Sequence, residues 1–134
     1  MPKIIFSACS QLVSVDHYTN TLSLFHIIEQ LNSKTFPFLW PQMFISSLWK
    51  RENQEEGLNF ESVVQFVDPS GQIKGEWRAE WAFEQPRHRH ILLVPNAEFN
   101  NPGTYLFNIY IRKRGDVELG EPASTVEIVV QKVP

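Results

Sequence analysis

The chain has 134 residues, the size of one domain that buries a core without disulfide or metal staples. A composition of 43% hydrophobic and 13% aromatic residues excludes a disordered chain. The formal charge is −3, and "IRKRG" at 111–115 is the only dense basic cluster, so no nucleic-acid partner is expected.

The first element is a short strand, "KIIFSAC", 3–9. The apolar run ahead of Cys9 is only Ile4, Ile5 and Phe6, whereas a signal peptide needs roughly 7–15 apolar residues. Cys9 therefore reads as a buried strand residue of a cytoplasmic protein. As the lone cysteine it allows no internal disulfide and no Cys-rich zinc site. The segment "TLSLFHIIEQLN", 21–32, fits a strand through Leu22, Leu24, His26 and Ile28, and equally a helix through Leu24, Ile27, Ile28 and Leu31. Its Thr, Phe and Ile content, followed by Pro37 and Pro41, favours the strand. "FPFLWPQ", 36–42, reads as a Pro-bounded connection rich in aromatics. "QMFISSLWKR", 42–51, groups Met43, Ile45 and Trp49, and the charged "KRENQEEGLN", 50–59, is a solvated link.

The second half alternates more strictly. "FESVVQFVD", 60–68, places Phe60, Val64 and Phe66 together. "DPSG", 68–71, has the Asp, Pro and Gly placement of a type I turn and should close a hairpin onto 72–84. In "GEWRAEWAFE", 75–84, Trp77, Ala79, Trp81 and Phe83 share one face and Glu76, Arg78, Glu80 and Glu84 the other. "RHRHILLVP", 87–95, begins polar and runs into the core. "NNPG", 100–103, is a loop. "TYLFNIYIRK", 104–113, aligns Tyr105, Phe107, Ile109 and Ile111; "RGDVELGEP", 114–122, is a further loop; "STVEIVVQ", 124–131, turns Val126, Ile128 and Val130 inward. No stretch approaches the roughly 20 apolar residues of a membrane span.

Short strands and tight turns predict an all-β chain: an antiparallel two-sheet β-sandwich of seven to nine strands, residues 1–134 forming a single domain. "NPGTY", 101–105, resembles the D-x-G-x-Y pattern of the immunoglobulin-like sandwich class, in which the Tyr hydroxyl bonds back to the upstream chain. Asn101 stands where Asp is usual, and Phe107 where an antibody domain has its second Cys. The Cys-ending first strand, "DPSG" and "FNNPGTYLFNIYI" also resemble a family of small bacterial proteins classed as a domain of unknown function. The resemblance covers most of the chain and implies a β-sandwich. It carries no established activity and no functional residue. Segment 10–35 departs most from the family pattern, which has glycines around its second strand.

Four features carry chemistry. His88 and His90 project from one face of a strand, as in β-barrel metal sites, with His17, His26, Glu80 or Glu84 as further ligands. Arg87 and Arg89 on the opposite face repel a divalent ion, and two imidazoles leave most of the coordination shell to water, so no metal is expected and the pair reads as a solvated strand end. Trp77 and Trp81, ~13 Å apart along one face, have the spacing of a sugar-binding row, but exposing them would bury the charges opposite, so they read as core. Phe36, Phe38 and Trp40 are a candidate partner surface if exposed, and an end cap of the sandwich if not. The carboxylates of "QEEG" lie in a loop with no sign of burial, and no nucleophile motif, nucleotide-binding glycine loop or H-E-x-x-H occurs.

These readings converge on a non-enzymatic module without cofactors that binds another protein or itself through surface aromatics or sheet edges. The rivals are a metal-dependent or small-ligand site at His88 and His90, and a carbohydrate-binding module on the tryptophans.

Overall fold

The alternating runs become nine strands in a computed structural model that describes residues 1–55 and 57–134. They are β1 (Lys3–Val15), β2 (Leu22–Ile27), β3 (Gln30–Ser33), β4 (Phe38–Lys50), β5 (Asn59–Val67), β6 (Ile73–Ala82), β7 (Arg87–Phe99), β8 (Gly103–Lys113) and β9 (Ser124–Lys132). The described residues contain no α-helix, only a 3-10 turn at Asn53–Glu55. One sheet has the order β2-β1-β4-β7 and the other β3-β9-β8-β5-β6. The prediction of a β-sandwich holds, with one departure from antiparallel pairing. β3 runs parallel to β9, from Gln30 beside Val129 to Ser33 beside Lys132.

Between the sheets lies one apolar cluster. β4 contributes Met43, Ile45 and Trp49; β5 Phe60, Val64 and Phe66; β8 Tyr105, Phe107 and Ile109. Val126, Ile128 and Val130 close it from β9. Aromatic rings bridge the two layers: Phe99 meets Tyr105 edge-on at 4.9 Å, and Trp49 lies 6.0 Å from Trp81. Hydroxyls interrupt this apolar layer. Ser7 on β1 and Ser124 on β9 share a 2.6 Å hydrogen bond from sheet to sheet, and the indole N–H groups of Trp49 and Trp81 donate to Ser47 and Ser62.

The turns follow their residues. The Asp68 carboxylate accepts the N–H groups of Ser70 and Gln72, each at 2.9 Å, and closes the β5–β6 hairpin. The Tyr105 hydroxyl donates to the Asn101 carbonyl at 2.7 Å and accepts the Asn101 N–H at 3.3 Å, as the spacing of "NPGTY" predicts. Gly103 connects these two turns. Its φ is +143°, and a Cβ there would come within 2.6 Å of the Pro69 ring.

Several elements differ from their sequence reading. β1 runs to Val15 rather than stopping at Cys9, because Ser10 to Val15 pair with β2. Segment 21–32 is extended, as predicted, but it is two strands in different sheets. His26 adopts φ +55° and the alternation breaks, so that Ile28 and Leu31, which an unbroken strand would place on opposite faces, both enter the core. Segment 36–42 is not a connection throughout. β4 begins at Phe38, and Pro41 sits opposite Asn96, whose φ of +49° marks an irregularity that tolerates a residue without an N–H. β5 buries both faces: Val63 is fully inaccessible beneath the outer layer, as well as Phe60, Val64 and Phe66 beneath the inner one.

Candidate functional site

His88 and His90 lie on the same side of β7 as Leu92 and Val94, and therefore on the core-facing side, at the end where the sandwich opens. Neither is a freely solvated strand end. His88 stacks on Trp81 with ring centroids 4.1 Å apart and planes 13° apart, and meets Phe83 edge-on at 6.4 Å. His90 faces Ser47 across the β4–β7 ladder. Burial lowers the pKa of both imidazoles; for His88 the neighbouring His90 lowers it further, while Glu84 opposes the shift. A cleft of about 340 Å³ beside them is lined by Trp81, Glu84, Gln85, Arg87, His88 and Arg89. The other sequence-predicted ligands do not gather there. His17, His26 and Glu80 are exposed on separate elements, and among the described residues no group of three His, Cys, Asp or Glu converges.

The remaining candidates resolve as follows. Trp77 and Trp81 are half-buried against the core, Trp77 over Gly75 and Trp81 between Trp49 and Phe60, so they present no open row of rings. Phe36, Phe38 and Trp40 are also half-buried against the core, and Phe38 stacks on Phe99 at 5.1 Å. Cys9 is 1% exposed, its sulfur 3.6 Å from that of Met43, and burial pushes its pKa up to about 12. The thiolate that nucleophilic chemistry needs is strongly disfavoured there. Glu55 is buried, contrary to the reading of "QEEG" as uniformly solvated, and its carboxylate accepts the Glu52 N–H at 3.0 Å. Glu56 lies outside the described residues.

The least ordinary surface lies elsewhere. The outer face of the second sheet is polar: Glu61 takes the Arg112 guanidinium at 3.1 Å, and Arg78 lies between Glu61 and Glu76. The outer face of the first sheet is its opposite. One cross-strand row there reads Ile27, Ser10, Phe44, Leu93, and the next Ala8, Ser46, Ile91; Ser10 and Ser46 are fully buried, so the middle of this face is covered. Of thirteen large apolar side chains exposed among the described residues, seven belong to β1, β2 or their turn: Ile5, Phe6, Leu12, Val15, Tyr18, Phe25 and Ile27. Leu39 and Leu93 add two more on the same sheet.

The β1–β2 hairpin does not extend straight from this sheet. Ser10 pairs with Phe44, yet the hairpin tip reaches Arg89, at the far end of β7: the guanidinium donates to the Asn20 carbonyl at 3.0 Å and to its side-chain oxygen at 3.3 Å. Because β4 separates β1 from β7, the hairpin must fold back across the outer face to make that contact. Asp16 shapes the tip by accepting the N–H groups of Tyr18 and Thr19, each at 2.8 Å. From Ser10 to Ile27 the chain has one acidic side chain, Asp16, and no Lys or Arg. That lack of charge was visible in the sequence, but the exposure of the segment was not.

Among the described residues no helix is long and apolar enough to cross a membrane. A comparison with curated proteins finds no match. The model of a family of unknown function, DUF6941, matches residues 5–119, which takes in all of β2 to β8 and most of β1, and the chain belongs to that family.

Proposed function

We propose that this protein is a non-enzymatic interaction module of the immunoglobulin-like class, which binds protein through the uncharged β1–β2 arm and the exposed apolar side chains of the same sheet beside it. The observation that carries this reading is the concentration of exposed apolar side chains on one arm, set against an ion-paired face on the opposite side. Large exposed apolar patches rimmed by polar residues mark contact sites. The Tyr105–Asn101 bond and the strand order support the class. The resemblance to a family of small bacterial proteins supports a bacterial source.

Photo-crosslinking tests it. Benzoylphenylalanine in place of Phe25 should give protein adducts of defined mass in native extract, lost when Leu12→Glu is added. The same group in place of Glu80, on the outer face of the second sheet, should give none. Equal labelling from both positions refutes the reading.

A further inference from the structure

The four sheet edges are not equivalent. An edge strand exposes unpaired N–H and C=O groups, and proteins blunt such edges with charge, proline, irregularity or brevity. β6 carries Lys74, Glu76, Arg78 and Glu80. β7 carries Arg87, Arg89 and Glu98, with Pro95 and the positive φ of Asn96 between them. β3 is only four residues long. β2, "LSLFHI", has no charge, no proline and no glycine; its one irregularity, the positive φ of His26, lies next to its end and leaves Leu22 to Phe25 regular, and it pairs only with β1. Its Ser23, Phe25, His26 and Ile27 are exposed.

We propose that β2 is an assembly edge and that its partner is β2 of a second copy of this chain, paired antiparallel about a two-fold axis. This rests on the reading of the arm as a contact surface and names its occupant. Charge decides for a second copy. In an isologous antiparallel pair each strand meets its own sequence, so any charged residue at or near the axis faces its like, which is destabilising. From Thr21 to Ile28 there is no Lys, Arg, Asp or Glu, so no register of β2 on itself opposes like charges. The protein's net charge of −3 is carried away from this edge. The paired edges would join the two β1–β2 arms into one four-stranded ribbon. A ladder of six residues is short of the roughly 800 Å² per partner of a standard interface, so Phe25, Ile27 and Leu12 of both arms must supply the rest. An interface of that size gives a reversible, concentration-dependent dimer.

Sedimentation equilibrium of the intact chain decides the matter. The expected result is a species of twice the 15.6 kDa chain mass that dissociates on dilution. Ser23→Lys and Phe25→Lys, both at exposed positions, should each weaken it at least tenfold, with the circular dichroism spectrum unchanged. Glu80→Lys, on the charged edge strand β6, should leave it intact. Amide hydrogens of β2 that point away from β1 should exchange more slowly in concentrated than in dilute solution. A wild-type chain that stays monomeric at ~1 mM, weaker than any physiological self-association, overturns the proposal. So does a dimer disrupted by Glu80→Lys and not by the β2 variants. A monomer that still gives Leu12-dependent adducts of another mass from position 25 refutes self-pairing and leaves the interaction module standing. A monomer without such adducts refutes both.

Discussion

Replacing Tyr105 by Phe removes one oxygen from the turn at Asn101 and leaves the ring in place. The ring is 2% exposed, 4.9 Å from Phe99 and 5.7 Å from Phe66, and those contacts survive the change. What is lost is the 2.7 Å bond to the Asn101 carbonyl and the longer 3.3 Å bond from the Asn101 N–H. A buried bond of this kind contributes about 1 kcal/mol net. Asn101 itself is exposed, so its freed groups rehydrate, and the desolvation penalty of an orphaned buried carbonyl does not apply. The expected loss is therefore about 1–1.5 kcal/mol. With about 2.1 cal/mol/K of unfolding entropy per residue, 134 residues give roughly 0.3 kcal/mol/K, and Tm should fall by ~3–5 °C. Urea melts should show a lower midpoint with an unchanged m-value, because the surface exposed on unfolding is the same. Tyr105→Ala, which also empties the ring's place in the core, should cost about 3–5 kcal/mol. If Tyr105→Phe costs less than ~0.3 kcal/mol, within the scatter of a surface substitution, the hydroxyl does not hold the turn. If it costs as much as Tyr105→Ala, the ring and the bond have been wrongly separated.

Gly103→Ala should cost more than a typical surface change, about 2–4 kcal/mol in denaturant melts, since it combines a positive-φ strain with a Cβ pressed into Pro69. Gly120→Ala, with open space around it, should cost clearly less. The folded-state pKa values of His88 and His90 lie below the ordinary 6.5, so the unfolded chain takes up protons first as pH falls. Their contribution is complete above pH 6.5 and is lost as pH drops below it; Tm should decline between pH 7 and 5, and His88→Gln with His90→Gln should flatten that decline. Cys9, with its pKa near 12 and no exposure, should react with a thiol reagent at pH 8 only at the rate of global unfolding. Rapid labelling of the native protein would place the thiol outside the core.

Strands with one face in the core were legible because their side chains alternate at the period of the pleat. The face assignments of β4, β8 and β9 needed only Met43-Ile45-Trp49, Tyr105-Phe107-Ile109 and Val126-Ile128-Val130. Legibility failed where a partner far along the chain decides. Val63 reads as outward but is covered, because β5 lies inside its sheet between β6 and β8. β1 extends beyond Cys9 only because β2 is there to pair with it. The positive φ of His26, which sends one apolar run into two sheets, has only a weak signature in its residue type, since His adopts that region more often than most residues but still seldom. The same limit governs the candidate surface. Phe36, Phe38 and Trp40, which the sequence leaves open as partner surface or end cap, pack on the core, whereas Leu12, outside every element read from the sequence, faces solvent with Phe25 and Ile27.

The serines between the sheets bear on how the two layers are aligned. Aliphatic and aromatic side chains pack acceptably at several offsets, since their attraction has no direction. A hydroxyl does have one. Sliding one sheet along the other by a single residue pair would separate Ser7 from Ser124, whose oxygens are 2.6 Å apart, and break a bond that the half-buried pair makes only at the native offset. The bond adds little to the depth of the native minimum, but it raises the energy of the neighbouring ones. It acts as a vernier: the core determines that the layers stack, and the pair of hydroxyls selects the offset at which they do.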